Sequence, residues 1–163
     1  MTKKQFFLAA AILAILGAGG GALLRPGLAD AQAPFAGSWD VFDVQPAPWL
    51  AGDYQPYIHD DIAKGRITFM ASSVQAPGLL DCDKAAFEVA TVPPEFLFQG
   101  GLNDPARQAA ALGHNGADIR NLAMTCANGN ADISMDFSLI DDDLIVFALD
   151  NMIYRMRRVN PEQ

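Results

Sequence analysis

The tripeptide His59-Asp60-Asp61 sets an imidazole beside two carboxylates, the residue types of a general acid–base pair or a divalent-metal site. Spacing completes neither chemistry, because no second histidine stands at helical or strand distance. The only other histidine, His114, sits in a Gly-His-Asn-Gly turn, so both are expected to be structural or solvated. An enzyme using His59 with Asp60 or Asp61 would need these side chains to converge in a cleft. Other familiar chemistries lack their motifs. No Gly-x-Ser-x-Gly elbow, phosphate loop, dinucleotide fingerprint, His-Glu-x-x-His or calcium loop is present. Asp141-Asp142-Asp143 lacks the spaced ligands and glycine of a calcium site and reads as a solvated turn. The expectation is a non-enzyme with no cofactor and no metal.

Cys82 and Cys126 are the only cysteines. No further ligand accompanies either at zinc-like spacing, and an even count in an exported chain reads as one disulfide. In the chain-entropy model, closing a loop of about 45 residues stabilises by ~4 kcal/mol, an upper-end figure.

Export is indicated by the start of the chain. Lys3 and Lys4 precede an apolar run from Phe6 to Leu16, and Ala29-Asp30-Ala31 offers the small-x-small pattern of a signal-peptidase site. Residues 1–31 are expected to be a signal peptide, leaving one domain over 34–160 in the periplasm or secreted. A cut after Ala33 would leave Pro34 first, a poor substrate. The alternative is a retained anchor, since Phe6 to Leu24 approaches the ~20 residues that span a bilayer; the glycine cluster and Arg25-Pro26 oppose it. The whole chain has 11 basic and 19 acidic side chains; losing Lys3, Lys4, Arg25 and Asp30 leaves 8 and 18, a net charge of −10. Such a surface repels phosphate, so nucleic acid is excluded as a partner and membrane contact is left to an uncleaved leader.

The elements that would position any site are mostly strands. Ile133, Met135, Phe137 and Leu139 alternate with Asp132, Ser134, Asp136 and Ser138, a period of two that gives one apolar and one polar face. Leu144 to Leu149 resumes after the acidic turn, Asp150-Asn151 turns the chain again, and Met152 to Val159 completes a three-strand meander. Upstream, strands are read at Val41 to Val44, at Arg66 to Ala71 continued by Val74, at Phe87 to Thr91, and at Ile119 to Cys126. The β pattern lapses from Glu95 to Gly116. There Asn103-Asp104-Pro105 opens a short helix through Leu112, Gly113 stops it, and the connection reads as a flap. An all-β fold follows: a small antiparallel, lipocalin/calycin-like barrel of seven or eight strands, with one short helix on a long connection. Phe69, Phe87, Met135 and Phe137 are expected inside it.

Two features qualify this barrel. Gly37-Ser38-Trp39 resembles the Gly-x-Trp of lipocalin-like families, which implies that Trp39 plugs one end of the barrel with a basic residue of the last strand, Arg155, Arg157 or Arg158, packed over its ring. From Gln45 to Asp61, three prolines with Trp49, Tyr54, Tyr57 and His59 make a long ordered loop rather than a central strand. Its aromatic side chains, with Phe96 and Phe98 of the flap, either frame a ligand or partner or lid the barrel.

The chain resembles the META-domain proteins, small all-β domains of bacterial envelopes. The resemblance runs through Trp39, Ile67-Thr68-Phe69, Val74 before a Pro-Gly turn, Cys82 flanked by acids, Leu122-Ala123-Met124-Thr125-Cys126 and the closing strands. The sequence departs from that family in three places. Asp81-Cys82-Asp83 replaces the usual Gly-Cys-Asn, Ile133 to Leu139 alternates as a strand where a helix is usual, and Pro93 to Gly116 is a long insertion. The resemblance implies a lipocalin-like barrel without known catalytic residues. The expected function is thus an exported, non-enzymatic envelope protein that binds a partner or supports envelope integrity, an inhibitor of a secreted hydrolase being one version. The alternative is a carrier holding a small apolar ligand inside the barrel.

Overall fold

A computed structural model of the chain describes residues 31–49, 55–128 and 131–160, so the leader through residue 30 and Tyr54 lie outside the described residues. Eight antiparallel strands form one sheet: β1 (Gly37–Pro46), β2 (Arg66–Phe69), β3 (Val74–Gln75), β4 (Ala85–Val92), β5 (Ile119–Asn128), β6 (Ala131–Asp141), β7 (Leu144–Leu149) and β8 (Met152–Arg158). Their spatial order is β3-β2-β1-β8-β7-β6-β5-β4, a nearly closed, lipocalin-like barrel.

The open seam lies between β3 and β4. Two backbone hydrogen bonds between Val74 and Cys82 and one from Ala85 N–H to the Ser72 carbonyl, each 2.8 Å, draw its edges together at one end. The Cys82–Cys126 disulfide adds a covalent tie there, with Cα atoms 5.9 Å apart. Away from that end β4 runs free. Its inward-facing Phe87 and Val89 are only partly buried, whereas Leu122 and Met124, their pairing partners on β5, are fully buried.

Alternation decides what enters the barrel. Leu122, Met124, Met135, Phe137, Leu139, Ile145, Phe147, Met152, Tyr154 and Met156 are buried on the inner faces of β5 to β8. Aromatic rings run across the interior: Phe69 against Phe137 (4.9 Å between centroids), Phe137 against Phe147 (5.2 Å) and Phe147 stacked on Tyr154 (4.8 Å). The barrel is filled with side chains, as small barrels are.

β1 carries a bulge. Val41 pairs with Met156 and Asp43 with Arg155, leaving Phe42 as the extra residue. The bulge resets the parity, so that Trp39, Val41 and Val44 all pack inward while Phe42 is exposed.

The connection between β4 and β5 builds a second core outside the barrel. A stretch of 3-10 turns (Pro94–Gly100) leads to a short helix (Pro105–Ala111). Asp104 caps it, its side chain accepting from Arg107 N–H, and Gly113 at φ +108° ends it. Leu97, Leu102, Ala109 and Leu112 bury Ile119, Ile140, Val146 and Ile153 from the outside. This flap explains why residues 144–149 read as an unbroken apolar run: β7 is covered on both faces.

Three expectations need correction. Val74 does not extend β2; the chain bends at residues 71 and 72, and Val74 pairs back onto Phe69 as the start of β3. Asp141 is the last residue of β6, so only Asp142 and Asp143 make the turn. The helix of the flap is not alone: one helical turn spans Asp60–Ala63, with Ile62 inserted into the core, and a 3-10 turn spans Gly78–Leu80.

Candidate functional site

The β7–β8 turn organises the outer surface. Asp150 and Asn151 both adopt positive φ, 47° and 60°, as a two-residue hairpin of the favoured twist requires. Asx residues tolerate that conformation, and here both side chains also make long-range contacts. Asn151 Oδ1 accepts from the Trp49 indole N–H at 3.1 Å. Asp150 Oδ2 lies 2.6 Å from His59 Nε2. The turn's carbonyls accept from Ala47 N–H (2.8 Å) and Tyr57 N–H (3.2 Å), so both arms of the proline-rich loop are held by two residues.

The flap reaches the same place. Phe98 and Gln99 have φ values of 52° and 57°, followed by Gly100 at 80°. Left-handed backbone at a bulky aromatic is costly and persists only where surrounding contacts enforce it. Gln99 is held by its amide, which donates to Asp136 Oδ2 at 3.2 Å, and Asp136 Oδ1 accepts from Asn121 at 3.0 Å. Ser138 extends the network by donating to Asn121 at 2.9 Å. Gly101 lets the flap touch Trp49, since a Cβ there would lie 3.2 Å from the indole.

Trp49 and Phe98 consequently meet, with ring centroids 5.3 Å apart and planes inclined at 46°. Beside them opens a cleft of about 470 Å³, lined also by Gln99, Gly101, Ser134, Asp136, Leu149, Asp150 and Asn151. That volume is within the range of small-molecule sites. The cleft lies on the outside of the barrel wall, not in its interior.

The remaining sequence candidates are dispersed. Tyr57 packs edge-on against His59 and is 60% exposed, and Phe96 is 64% exposed; neither lines the cleft. His59 does not join Asp60 or Asp61. Asp60 faces Lys64 at 3.7 Å, and Asp61 accepts from Ile62 N–H. The hydrogen bonds of the described residues put no hydroxyl or thiol on the His59 ring, the step that nucleophilic catalysis would need. His114 is buried, and neither ring nitrogen has a hydrogen-bond partner among the described residues. Among the described residues no group of three or more His, Cys, Asp or Glu is placed to hold a metal ion.

Of the three arginines offered for barrel closure, Arg158 takes the role. Its guanidinium carbon is 4.1 Å from the Trp39 ring centroid. Arg155 and Arg157 lie instead over the bulged Phe42, at 5.1 and 4.6 Å, because odd positions of β8 face outward. Burial raises the Tyr154 phenol above its ordinary pKa; the His59 N–H donated to its oxygen lowers it in part, and the charges of Asp150 and Asp61 raise it further. The residues that sequence reasoning missed are Gln99, Asp136, Asp150 and Asn151. Only the last two carried a signal, as turn formers. No family model, curated protein or solved structure matches this chain.

Proposed function

We propose that this is a non-catalytic binding protein of the bacterial envelope, in which the filled barrel is a scaffold and the cleft at Trp49 and Phe98 receives the partner. One observation carries the reading: two loops distant in sequence bring an aromatic residue each to one cleft, Phe98 on backbone held in the left-handed conformation. The disulfide fits an oxidising compartment, and among the described residues no helix is long and apolar enough to cross a membrane. A periplasmic address and a META-like ancestry belong to this proposal, as does the version in which the partner is a secreted hydrolase.

The carrier alternative places a ligand inside the barrel. Trp39, Phe69, Phe137, Phe147 and Tyr154 fill that space and are fully buried, which favours the outer cleft.

The test is retention on immobilised protein from periplasmic extract. A partner held by wild type and by Arg157→Ala, but lost with Trp49→Ala, supports the reading. Equal recovery with Trp49→Ala removes the cleft from the function. Asn151→Gly refines the comparison, because glycine keeps the turn while the indole loses its acceptor.

A further inference from the structure

We propose that the cleft binds an organic cation with an apolar body; the inference rests on reading the cleft as the binding site and names its ligand chemistry. Its lining contains two carboxylates, Asp136 and Asp150, and no lysine or arginine. Among the described residues, Arg155 of β8 pairs with Asp43 and Arg120 of β5 with Asp142, each a salt bridge to an acid outside the cleft lining. The two amides on Asp136 orient the carboxylate without neutralising it. Asp150 stays half exposed at the cleft rim, with one oxygen held by His59.

The apolar half of the site fits the same ligand. A tryptophan face is the strongest aromatic acceptor for a cation, and a weakly hydrated cation loses little on leaving water. With planes at 46° and centroids 5.3 Å apart, the rings form a corner suited to a compact methylated or guanidinium head, not the open flat face on which a sugar ring stacks. An anionic ligand would meet two carboxylates and no lysine or arginine in the lining. The chain's net charge of −8 also draws cations toward the surface.

The experiment follows Trp fluorescence of the full domain, with Trp49→Phe identifying the signal from the cleft against that of the buried Trp39. Choline is titrated beside its neutral isostere 3,3-dimethylbutan-1-ol, and N-acetyl-arginine amide beside N-acetyl-citrulline amide. We expect at least one cation to saturate the Trp49 signal about tenfold more tightly than its neutral partner, with affinity falling as salt rises. Choline binding points to a free small cation, arginine amide to a basic side chain of a protein. Asp150→Asn, which keeps the turn, should weaken the cation about tenfold and leave the neutral compound unchanged; Asp136→Asn, checked for folding by its melt, should act likewise. Neutral isosteres binding as tightly as the cations would overturn the cation inference and leave the binding-site reading intact. Saturation by none of the four would sink both.

Discussion

Arg158 lies across the indole of Trp39 and, from the same guanidinium, donates hydrogen bonds to the carbonyls of Pro34, Ala36 and Asp142. A single side chain thus joins the entry of β1 to the β6–β7 turn and closes the end of the barrel over Trp39. Its flat, forked geometry lets it stack and donate at once, which an ammonium cannot do.

Replacing Arg158 with Ala should cost about 2 kcal/mol and lower Tm by several degrees, and Arg158→Lys should recover little of it. Arg157→Ala should fall within about 0.5 kcal/mol, because Arg157 is exposed over an exposed ring. Thermal melts of the three variants decide it; equal effects at the two positions would contradict the assignment of Arg158 to barrel closure.

Cys82→Ser or Cys126→Ser should destabilise by up to ~4 kcal/mol, and reductant should lower the wild type's Tm similarly. The bond ties the seam, so the loss should appear first between β3 and β4. Indifference of the wild-type melt to reductant would show that the bond contributes nothing.

Tyr154 should make stability fall at alkaline pH. Its phenol ionises at a higher pH in the folded protein than in the unfolded chain, where the value is about 10. Below that pH both states hold the proton and its contribution is complete. As pH rises through 10 the unfolded state ionises first, and stability declines until the folded-state pKa is passed. Denaturant melts from pH 8 to 11 should show this decline, and Tyr154→Phe should flatten it.

Asp104→Ala removes the cap of the flap helix and should cost about 1 kcal/mol. Because the flap covers Val146 and Ile153, binding of a hydrophobic dye should rise before the barrel melts. A rise that coincides with global unfolding would show that flap and barrel open as one unit.

Strands were legible because one face of each is buried and the apolar residues alternate. Parity even contained the choice among the arginines, since Met152, Tyr154, Met156 and Arg158 share the inward face. The bulge at Phe42 and the hairpin at Val74 escaped because each breaks that alternation by a residue or two. Trp49 and Phe98 stood out as aromatics on loops. Their polar surroundings did not, because Trp49–Asn151 and His59–Asp150 join residues 102 and 91 positions apart, a separation at which local pattern carries no information.

The seam between β3 and β4 has a consequence for strand order. Every consecutive pair of strands is adjacent in the sheet except that one, and β1 pairs with β8, Val159 N–H donating to the Ser38 carbonyl at 2.8 Å. The ring of strands therefore has no privileged starting point. A circular permutant that joins 159 to 32 by a linker, keeping Phe35 and the carbonyls that Arg158 and Trp39 use, and opens within 76–81 would read its eight strands in simple spatial succession, β4 through β8 and then β1 to β3. The first and last strands meet inside the sheet, where pairing is continuous, and the ring is weakest between β3 and β4, where the peptide runs on unbroken and a sulfur bridge reinforces it.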